Sequence, residues 1–172
     1  RDVEIVVADD GSPKPPSLGG RAHAISTAYQ EDRGFRAAAA RDLGVRRTSA
    51  PLLAFLDADT VPEPGYLQTL IESLSEPSPV GIVAVGRRRH ADLAGCTAAD
   101  VTRWLAGDSP APPELPEPAW LRRAYADSDD LRRCDDRSYR FVISAVLALP
   151  RELYERAGGF DAGFVGYGGE DW

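Results

Sequence analysis

The segment that most constrains this chain runs from Pro51 to Pro64 and reads PLLAFLDADTVPEP. Its apolar run, residues 52–56, shows no polar alternation and is bounded by prolines, which is typical of a central strand buried on both faces. Asp57 and Asp59 follow directly. Because side chains two residues apart on extended backbone point the same way, we expect both carboxylates to face one space at the carboxyl end of the strand. Open α/β sheets bind their ligands at that edge.

Two interpretations of this acidic pair remain open from the segment alone. Two like charges so close favour a bound cation, and oxygen-only ligands favour Mg²⁺ or Mn²⁺, which keep waters and share substrate phosphates. The alternative is a solvated turn in which Asp59 or Thr60 caps the next helix, predicted over residues 62–74. The segment therefore predicts either a metal–diphosphate site or a simple strand-to-helix connection.

Length, charge and cysteines limit the class of protein. A chain of 172 residues fits one domain, and its net charge of −7 argues against a nucleic-acid partner. No apolar run approaches the roughly 20 residues needed to cross a bilayer, and no signal peptide opens the chain. Cys96 and Cys134 lack the spacing of a zinc or redox motif, so we expect buried or incidental thiols in a reducing, cytoplasmic compartment. The abrupt start and end predict a piece of a longer protein whose other parts could contact a membrane.

A second acidic pair, Asp9 and Asp10, ends a β-branched strand over residues 3–8. Gly11 and Ser12 follow, and they suit a tight turn. In a parallel sheet this pair would share an edge with the first acidic pair, where a carboxylate could hold a ribose or a base N–H. The alternative is an Asx-type turn that only ends the strand.

Strand and helix patterns alternate along the rest of the chain, as a parallel α/β sheet requires. The predicted strands are residues 24–29, 80–85 and 140–149, and the further helices are 36–47 and 151–157. The alanines of the first helix would let it lie close to the sheet, and its Arg41 either points to a phosphate at the sheet edge or lies on a solvated face. Residues 87–138 contain a basic cluster, a proline-rich linker over 108–118 and two helical stretches. They predict an insertion over one face of the sheet.

The chain ends in a glycine-rich segment that closes on Glu170 and Asp171. Glycines this dense permit close approach of the backbone to a ligand. The acidic pair after them is placed to supply a general base. The alternative is that the two acids form the first turn of a further helix.

Four motifs in this order resemble family-2 glycosyltransferases of the GT-A fold. They are DDGS at 9–12, ARDLG at 40–44, FLDAD at 55–59 and AGGFD–GYGGED at 157–171. DDLRRC at 129–134 and YRF at 139–141 are similar to bacterial chondroitin-polymerase-type domains, and GGED resembles a C-terminal galactosyltransferase motif. The resemblance implies an α/β, Rossmann-like GT-A fold, with a mostly parallel sheet flanked by helices and truncated at both ends.

The resemblance also implies a function: metal-dependent inverting transfer of a sugar from a nucleotide-sugar, expected to be a UDP-sugar, to a glycan or other hydroxyl acceptor. Bacterial polysaccharide biosynthesis is the expected setting. The implied donor-binding residues are Asp9, Asp10, Gly11, Ser12, Arg41, Asp57 and Ala58. Asp57 and Asp59 are implied to hold Mn²⁺ or Mg²⁺, Gly168, Gly169 and Glu170 to contact the acceptor, and Asp171 to act as the catalytic base.

The expected organisation is a single incomplete domain. Residues 1–86 form the nucleotide-sugar-binding half, 87–138 the insertion and 139–172 the acceptor and catalytic segment. The sequence departs from the family pattern at one residue and at one segment: Asp42 replaces an Asn, and Ser144-Ala145-Val146 replace Gly-Gly-Asn.

Two alternative functions follow from the sequence. The first is a catalytically silent domain that binds nucleotide-sugar or glycan within a larger polymerase, which the lost Gly-Gly-Asn favours slightly. The second is a nucleotidyltransferase, a class in which GGED has no role. The chain also lacks the Gly- and Lys-rich phosphate loop of that class.

Overall fold

The structure is a computed structural model that describes residues 3–18 and 23–166. The strands of this part form three sheets. In the first, β1 (Glu4–Asp9) pairs in parallel with β2 (Ala24–Tyr29). In the second, β3 (Leu52–Ala54) and β4 (Ala84–Val85) lie on either side of β7 (Leu147–Pro150), and both are antiparallel to it. In the third, β5 (His90–Ala91) pairs with β6 (Glu114–Leu115).

Five α-helices accompany these strands in the described ranges. They are α1 (Ala37–Val45), α2 (Tyr66–Leu74), α3 (Ala98–Leu105), α4 (Ala119–Asp127) and α5 (Arg151–Ala157). Two short 3₁₀ turns, Ser138–Phe141 and Ser144–Val146, precede β7. None of the described helices is both long and apolar enough to cross a bilayer.

Helix α1 packs against both strands of the first sheet, as its small residues predict. Ala38 and Ala40 are buried, and a Cβ added at Gly44 would lie only 3.5 Å from the Cβ of Ala8. Larger side chains at these positions would push the helix away from the sheet. The alanine-rich sequence therefore sets how closely α1 lies to β1.

The hydrophobic core lies around the second sheet. Its buried members are Val45, Leu53, Leu147, Leu149 and Tyr154. Phe55 and Phe160 pack against this cluster, with their rings edge to face at a centroid distance of 5.2 Å. The core thus joins α1, β3, β7 and α5 around the end of the segment that leads to Asp57.

The predicted strand over residues 52–56 is shorter than expected, and only one of its faces is buried. Leu53 is buried, whereas Ala54 and Leu56 are exposed. The backbone still continues the pairing beyond β3, because the Phe55 N–H donates to the Leu147 carbonyl at 2.7 Å. Alternate residues face opposite sides of a strand, so the apolar run places one set against the core and the other towards solvent.

Several other expectations need correction. Strand pairing in the described residues is mostly antiparallel rather than mostly parallel, because β7 runs antiparallel to both of its neighbours and β5 antiparallel to β6. The strand predicted at 80–85 is reduced to β4, because Gly81 has a φ of +94° and Val80 is 73% exposed. The strand predicted at 140–149 is β7 preceded by 3₁₀ turns. The helix predicted at 62–74 begins only at Tyr66, with Gly65 as its N-cap, so neither Asp59 nor Thr60 caps it.

Other elements agree with the sequence. Strand β2 has the predicted bounds, α1 lies within the predicted 36–47, and α5 ends at Ala157 with Gly158 as its C-cap, at a φ of +92°. In the predicted insertion, the supposed linker 108–118 contributes β6, which pairs with β5. The prolines of the linker therefore flank a strand rather than exclude one.

A capping box between Thr97 and Asp100 starts α3, and it lowers the pKa of the Asp100 carboxyl to about 2.

Candidate active site

Asp57 lies at the end of the extended segment that follows β3. Its N–H donates to the Ala145 carbonyl at 3.3 Å, and its own carbonyl accepts from the Thr60 N–H at 2.9 Å. The second bond closes a turn that contains Ala58 and Asp59. The sequence predicted that both acids lie on one extended strand, and this prediction is wrong. The turn is what exposes Ala58 and Asp59.

Arg41 of α1 pairs with the first of these carboxylates. Its Nη2 lies 2.9 Å from Oδ1 of Asp57. The Arg41 side chain is only 14% exposed and that of Asp57 is 43% exposed, so a mostly buried guanidinium meets a carboxylate that still reaches solvent. The sequence left Arg41 either facing the sheet edge or solvated, and the structure places it at the edge.

Asp59 is exposed, and its carboxylate contacts no donor or cation within residues 3–18 and 23–166. The same ranges hold no group of three or more His, Cys, Asp or Glu side chains placed to bind a metal. Two carboxylates without a third protein ligand do not make a closed cage. Mg²⁺ is usually bound by only one or two carboxylates together with waters and substrate phosphates, so the donor chemistry of Asp57 and Asp59 suits such an ion.

Asp9 forms the Asx-type turn that was the alternative interpretation. It is buried, its Oδ1 accepts the Ser12 N–H at 2.8 Å, and its Oδ2 has no partner among the described residues. Gly11 has a φ of +93°, and a Cβ there would lie 2.4 Å from the Cα of Asp32. Only glycine fits this turn, because any side chain would collide with the neighbouring backbone.

Asp10 is held by two residues that sequence reasoning did not identify. Its Oδ1 accepts from the Gln30 side-chain amide at 2.6 Å, and its Oδ2 accepts from the Arg36 N–H at 2.6 Å. The Arg36 guanidinium also lies 3.6 Å from Oδ1. The alignment of Tyr29 with Asp9 in the β1–β2 register places Gln30 beside this turn, a pairing that the sequence does not display.

Helix α1 joins the two acidic pairs. Arg36 precedes the helix at Asp10, and Arg41 lies five residues further along at Asp57, a rise of about 7.5 Å on an α-helix. In the described part of the chain β1 and β3 belong to different sheets, so the expected shared sheet edge does not connect the pairs. The connection runs through the helix instead.

The departures from the family pattern have structural roles. Ser144, Ala145 and Val146 are all buried, and the Val146 carbonyl accepts from the Gly86 N–H at 2.8 Å. The segment thus supports Asp57 and β4 through its backbone. Asp42 accepts two hydrogen bonds on one oxygen, from the Tyr154 hydroxyl and from the Phe160 N–H.

The predicted acceptor and base residues, Gly168, Gly169, Glu170 and Asp171, lie outside the described residues. The loop that leads towards them is placed as far as Gly166, whose N–H donates to the Phe35 carbonyl at 2.9 Å. The roles of the four residues remain predictions.

Fold and site together define an α/β domain with an open pair of carboxylates where an extended segment ends. The family profile described as "Glycosyl transferase family 2" matches residues 1–104, which is more than half of the chain. The chain therefore belongs to glycosyl transferase family 2, and the GT-A fold class expected from its motifs is confirmed.

Curated relatives match almost the whole chain. A validoxylamine A glucosyltransferase of Streptomyces hygroscopicus subsp. jinggangensis is 33% identical over 99% of this chain and 42% of its own length. The chondroitin synthase of Escherichia coli is 28% identical over 99% of this chain and 27% of its own length. The chondroitin synthase of Pasteurella multocida is 28% identical over 98% of this chain and 19% of its own length. The chain thus spans less than half the length of each of these relatives.

Proposed function

We propose that this chain carries the donor site of a metal-dependent, inverting glycosyltransferase that uses a nucleotide-sugar, specifically a UDP-sugar. The observation that carries the proposal is the Arg41–Asp57 pair at 2.9 Å beside the exposed Asp59. Membership of the family and the names of the relatives support sugar transfer as the activity.

The nucleoside end of the donor is proposed to lie at residues 9–12. Asp10 is fixed by Gln30 and Arg36, and each carboxylate oxygen has a second lone pair, so Asp10 can still accept a base N–H or a ribose hydroxyl. The Ser12 N–H donates to Asp9 at 2.8 Å and so fixes the turn that follows Asp10. This end of the site therefore recognises neutral hydrogen-bond donors of the nucleoside and does not require a cation.

The diphosphate end is proposed to lie at Asp57, Ala58 and Asp59, with Arg41 beside it. The two carboxylates would hold Mn²⁺ or Mg²⁺, and the exposed Ala58 leaves space for the phosphates. When bound, the cation supplies charge neutralisation for the departing diphosphate. Arg41 adds a guanidinium that can bind a phosphate oxygen at this end.

Asp171 is the proposed general base, with Gly168, Gly169 and Glu170 on the acceptor side. In an inverting transfer the base takes the proton from an acceptor hydroxyl. The hydroxyl oxygen then bonds to the anomeric carbon as the bond from that carbon to the diphosphate breaks on the opposite face. The acceptor is proposed to be a carbohydrate, in line with the relatives named as chondroitin synthases.

Binding without transfer is the second candidate function, and the residues at 144–146 favour it. Ser144, Ala145 and Val146 are buried and offer no side-chain amide where the family shows Gly-Gly-Asn. Such a domain would hold the donor or a glycan inside a longer polymerase without acting on it.

Asp171→Asn separates the two candidates when donor binding and transfer are measured together. If the chain is an active transferase, the variant should keep UDP affinity and lose transfer by about 100-fold or more, because Asn cannot take the proton. Unchanged transfer would show that Asp171 is not the base. A wild-type chain that binds UDP and transfers nothing to any glycan would favour the binding domain.

A further inference from the structure

Asp42 lies on α1 directly after Arg41 and joins parts of the chain that are far apart in sequence. Its Oδ1 accepts the Tyr154 hydroxyl and, at 3.1 Å, the N–H of Phe160. Burial, and then the bond to Asp42, raise the pKa of Tyr154, so the hydroxyl remains a donor at neutral pH. One carboxylate oxygen thus fixes both α5 and the loop that follows it.

The backbone of this loop fits closely around Asp42. Gly159 has a φ of +78°, and a Cβ there would lie 3.1 Å from the Tyr154 hydroxyl oxygen and 3.2 Å from Oδ1 of Asp42. The Gly159 N–H also donates to the Tyr154 carbonyl at 3.1 Å. The paired glycines after α5 therefore serve to bring the loop to the carboxylate.

Phe160 carries the effect from this loop to the candidate donor site. Its ring packs edge to face on Phe55, and the guanidinium carbon of Arg41 lies 5.6 Å from the ring centroid. Arg41 in turn binds Asp57. A guanidinium held over an aromatic face has a restricted orientation, so the position of Phe160 influences where the Arg41–Asp57 pair points.

We propose that Asp42 is a positioning residue for the donor site. It fixes Phe160 under Arg41, and Phe160 orients the guanidinium that meets Asp57 and the donor phosphates. This role rests on the proposed function. Both hydrogen bonds use Oδ1 as an acceptor, an atom that Asn also provides, so the Asp in place of the family's Asn is compatible with an intact site.

The test compares two substitutions of nearly equal size. Asp42→Asn keeps the acceptor oxygen, whereas Asp42→Leu removes it. Calorimetric titration of UDP with Mn²⁺ should give Asp42→Asn a Kd within about threefold of the wild type and Asp42→Leu a Kd raised by about tenfold or more. The titration is made at a temperature where circular dichroism shows each variant folded. Asp127→Leu, which removes an exposed carboxylate of α4, is the matched control and should leave the Kd unchanged.

Phe160→Leu keeps the test decisive if Asp42→Leu does not fold. This substitution preserves the backbone N–H that Asp42 binds and removes the ring under Arg41. It should raise the UDP–Mn²⁺ Kd by a similar factor. Where Asp42→Leu does fold, its effect and that of Phe160→Leu should not add in the double variant, because both act through the same guanidinium. Wild-type affinity in folded Asp42→Leu or in Phe160→Leu would overturn the proposal.

Hydrogen exchange separates failure of this inference from failure of the proposed function. Asp42→Leu should speed exchange in the peptide covering residues 158–166, and Asp42→Asn should not, whatever the chain binds. If the wild type binds no UDP with Mn²⁺, the proposed donor site is wrong, and so is the proposal that Asp42 positions it. In that case the exchange result would still show whether Asp42 holds the loop. Unchanged exchange in Asp42→Leu would contradict the anchoring itself.

Discussion

Each of the two acidic pairs of this chain lies where an extended segment ends, but their surroundings differ. Asp9 and Asp10 are held within the protein, by the Ser12 N–H and by Gln30 and Arg36. Of the other pair, Asp57 meets one guanidinium, and Asp59 is exposed and has no partner in the described ranges. A carboxylate held by internal donors can recognise neutral groups, whereas an open pair can bind a cation. The surroundings, and not the acids themselves, separate the two roles.

The largest expected effect falls on Arg41, which contacts Asp57 of the open pair. Arg41→Ala should weaken UDP–Mn²⁺ binding by about 100-fold, because it removes a mostly buried guanidinium beside the proposed diphosphate site. Arg41→Lys is the matched control and should recover only part of the affinity, since Lys lacks the planar fork. Titration calorimetry measures both. If Arg41→Ala bound UDP as tightly as the wild type, Arg41 would have only a structural role beside Asp57.

A smaller effect, on stability, is expected at the turn that follows Asp9 and Asp10. Gly11→Ala should lower the free energy of unfolding by more than about 2 kcal/mol, because the left-handed backbone is strained for Ala and the new Cβ meets the Asp32 backbone. Gly34→Ala is the control: its φ is +85°, but nothing lies within 4 Å of the added Cβ. It should cost only about 1 kcal/mol. Equal losses in urea unfolding would mean that the close approach at Gly11 is unimportant.

Asp10→Ala, compared with Asp59→Ala, shows how much each acidic pair contributes to stability. Loss of the acceptor for the Arg36 N–H and the Gln30 amide should destabilise the chain by about 1–3 kcal/mol. Asp59→Ala should cost within about 0.5 kcal/mol, because its carboxylate binds nothing in the described structure. Urea unfolding of both variants checks the difference. A larger loss in Asp59→Ala than in Asp10→Ala would reverse the roles assigned here.

The sequence predicted local elements well where short-range chemistry decides them. Strand β2 and helix α5 have the expected bounds, and the paired glycines at 158 and 159 end the helix as expected. Apolar runs were less reliable guides. The apolar run at 80–85 forms only a two-residue strand. The length and hydrophobicity of such a run do not reveal which of its backbone groups will find a hydrogen-bond partner.

The candidate site was predicted in part. The acids and Arg41 were identified from their motifs, but Gln30, Arg36 and Phe160 were not. Each of these three acts through a contact with a residue distant in the chain, as when the Phe160 N–H reaches Asp42 across 118 positions. Such pairings depend on tertiary packing and leave no periodic signal in the sequence. The turn at Asp57–Thr60 was predicted only by the alternative interpretation, because the main one treated both acids as strand residues. That alternative was wrong about the cap, since Gly65 and neither Asp59 nor Thr60 caps the next helix.

The most direct test of the difference between the pairs is calorimetric titration of UDP into the full chain, with Mn²⁺ and then with EDTA. Wild type and Asp59→Asn are compared. The wild type should bind UDP with Mn²⁺ and lose about 100-fold or more of that affinity in EDTA, whereas Asp59→Asn should bind weakly in both conditions. Binding that is equally tight in Mn²⁺ and EDTA, or unchanged in Asp59→Asn, would contradict a metal-assisted diphosphate site at the open pair.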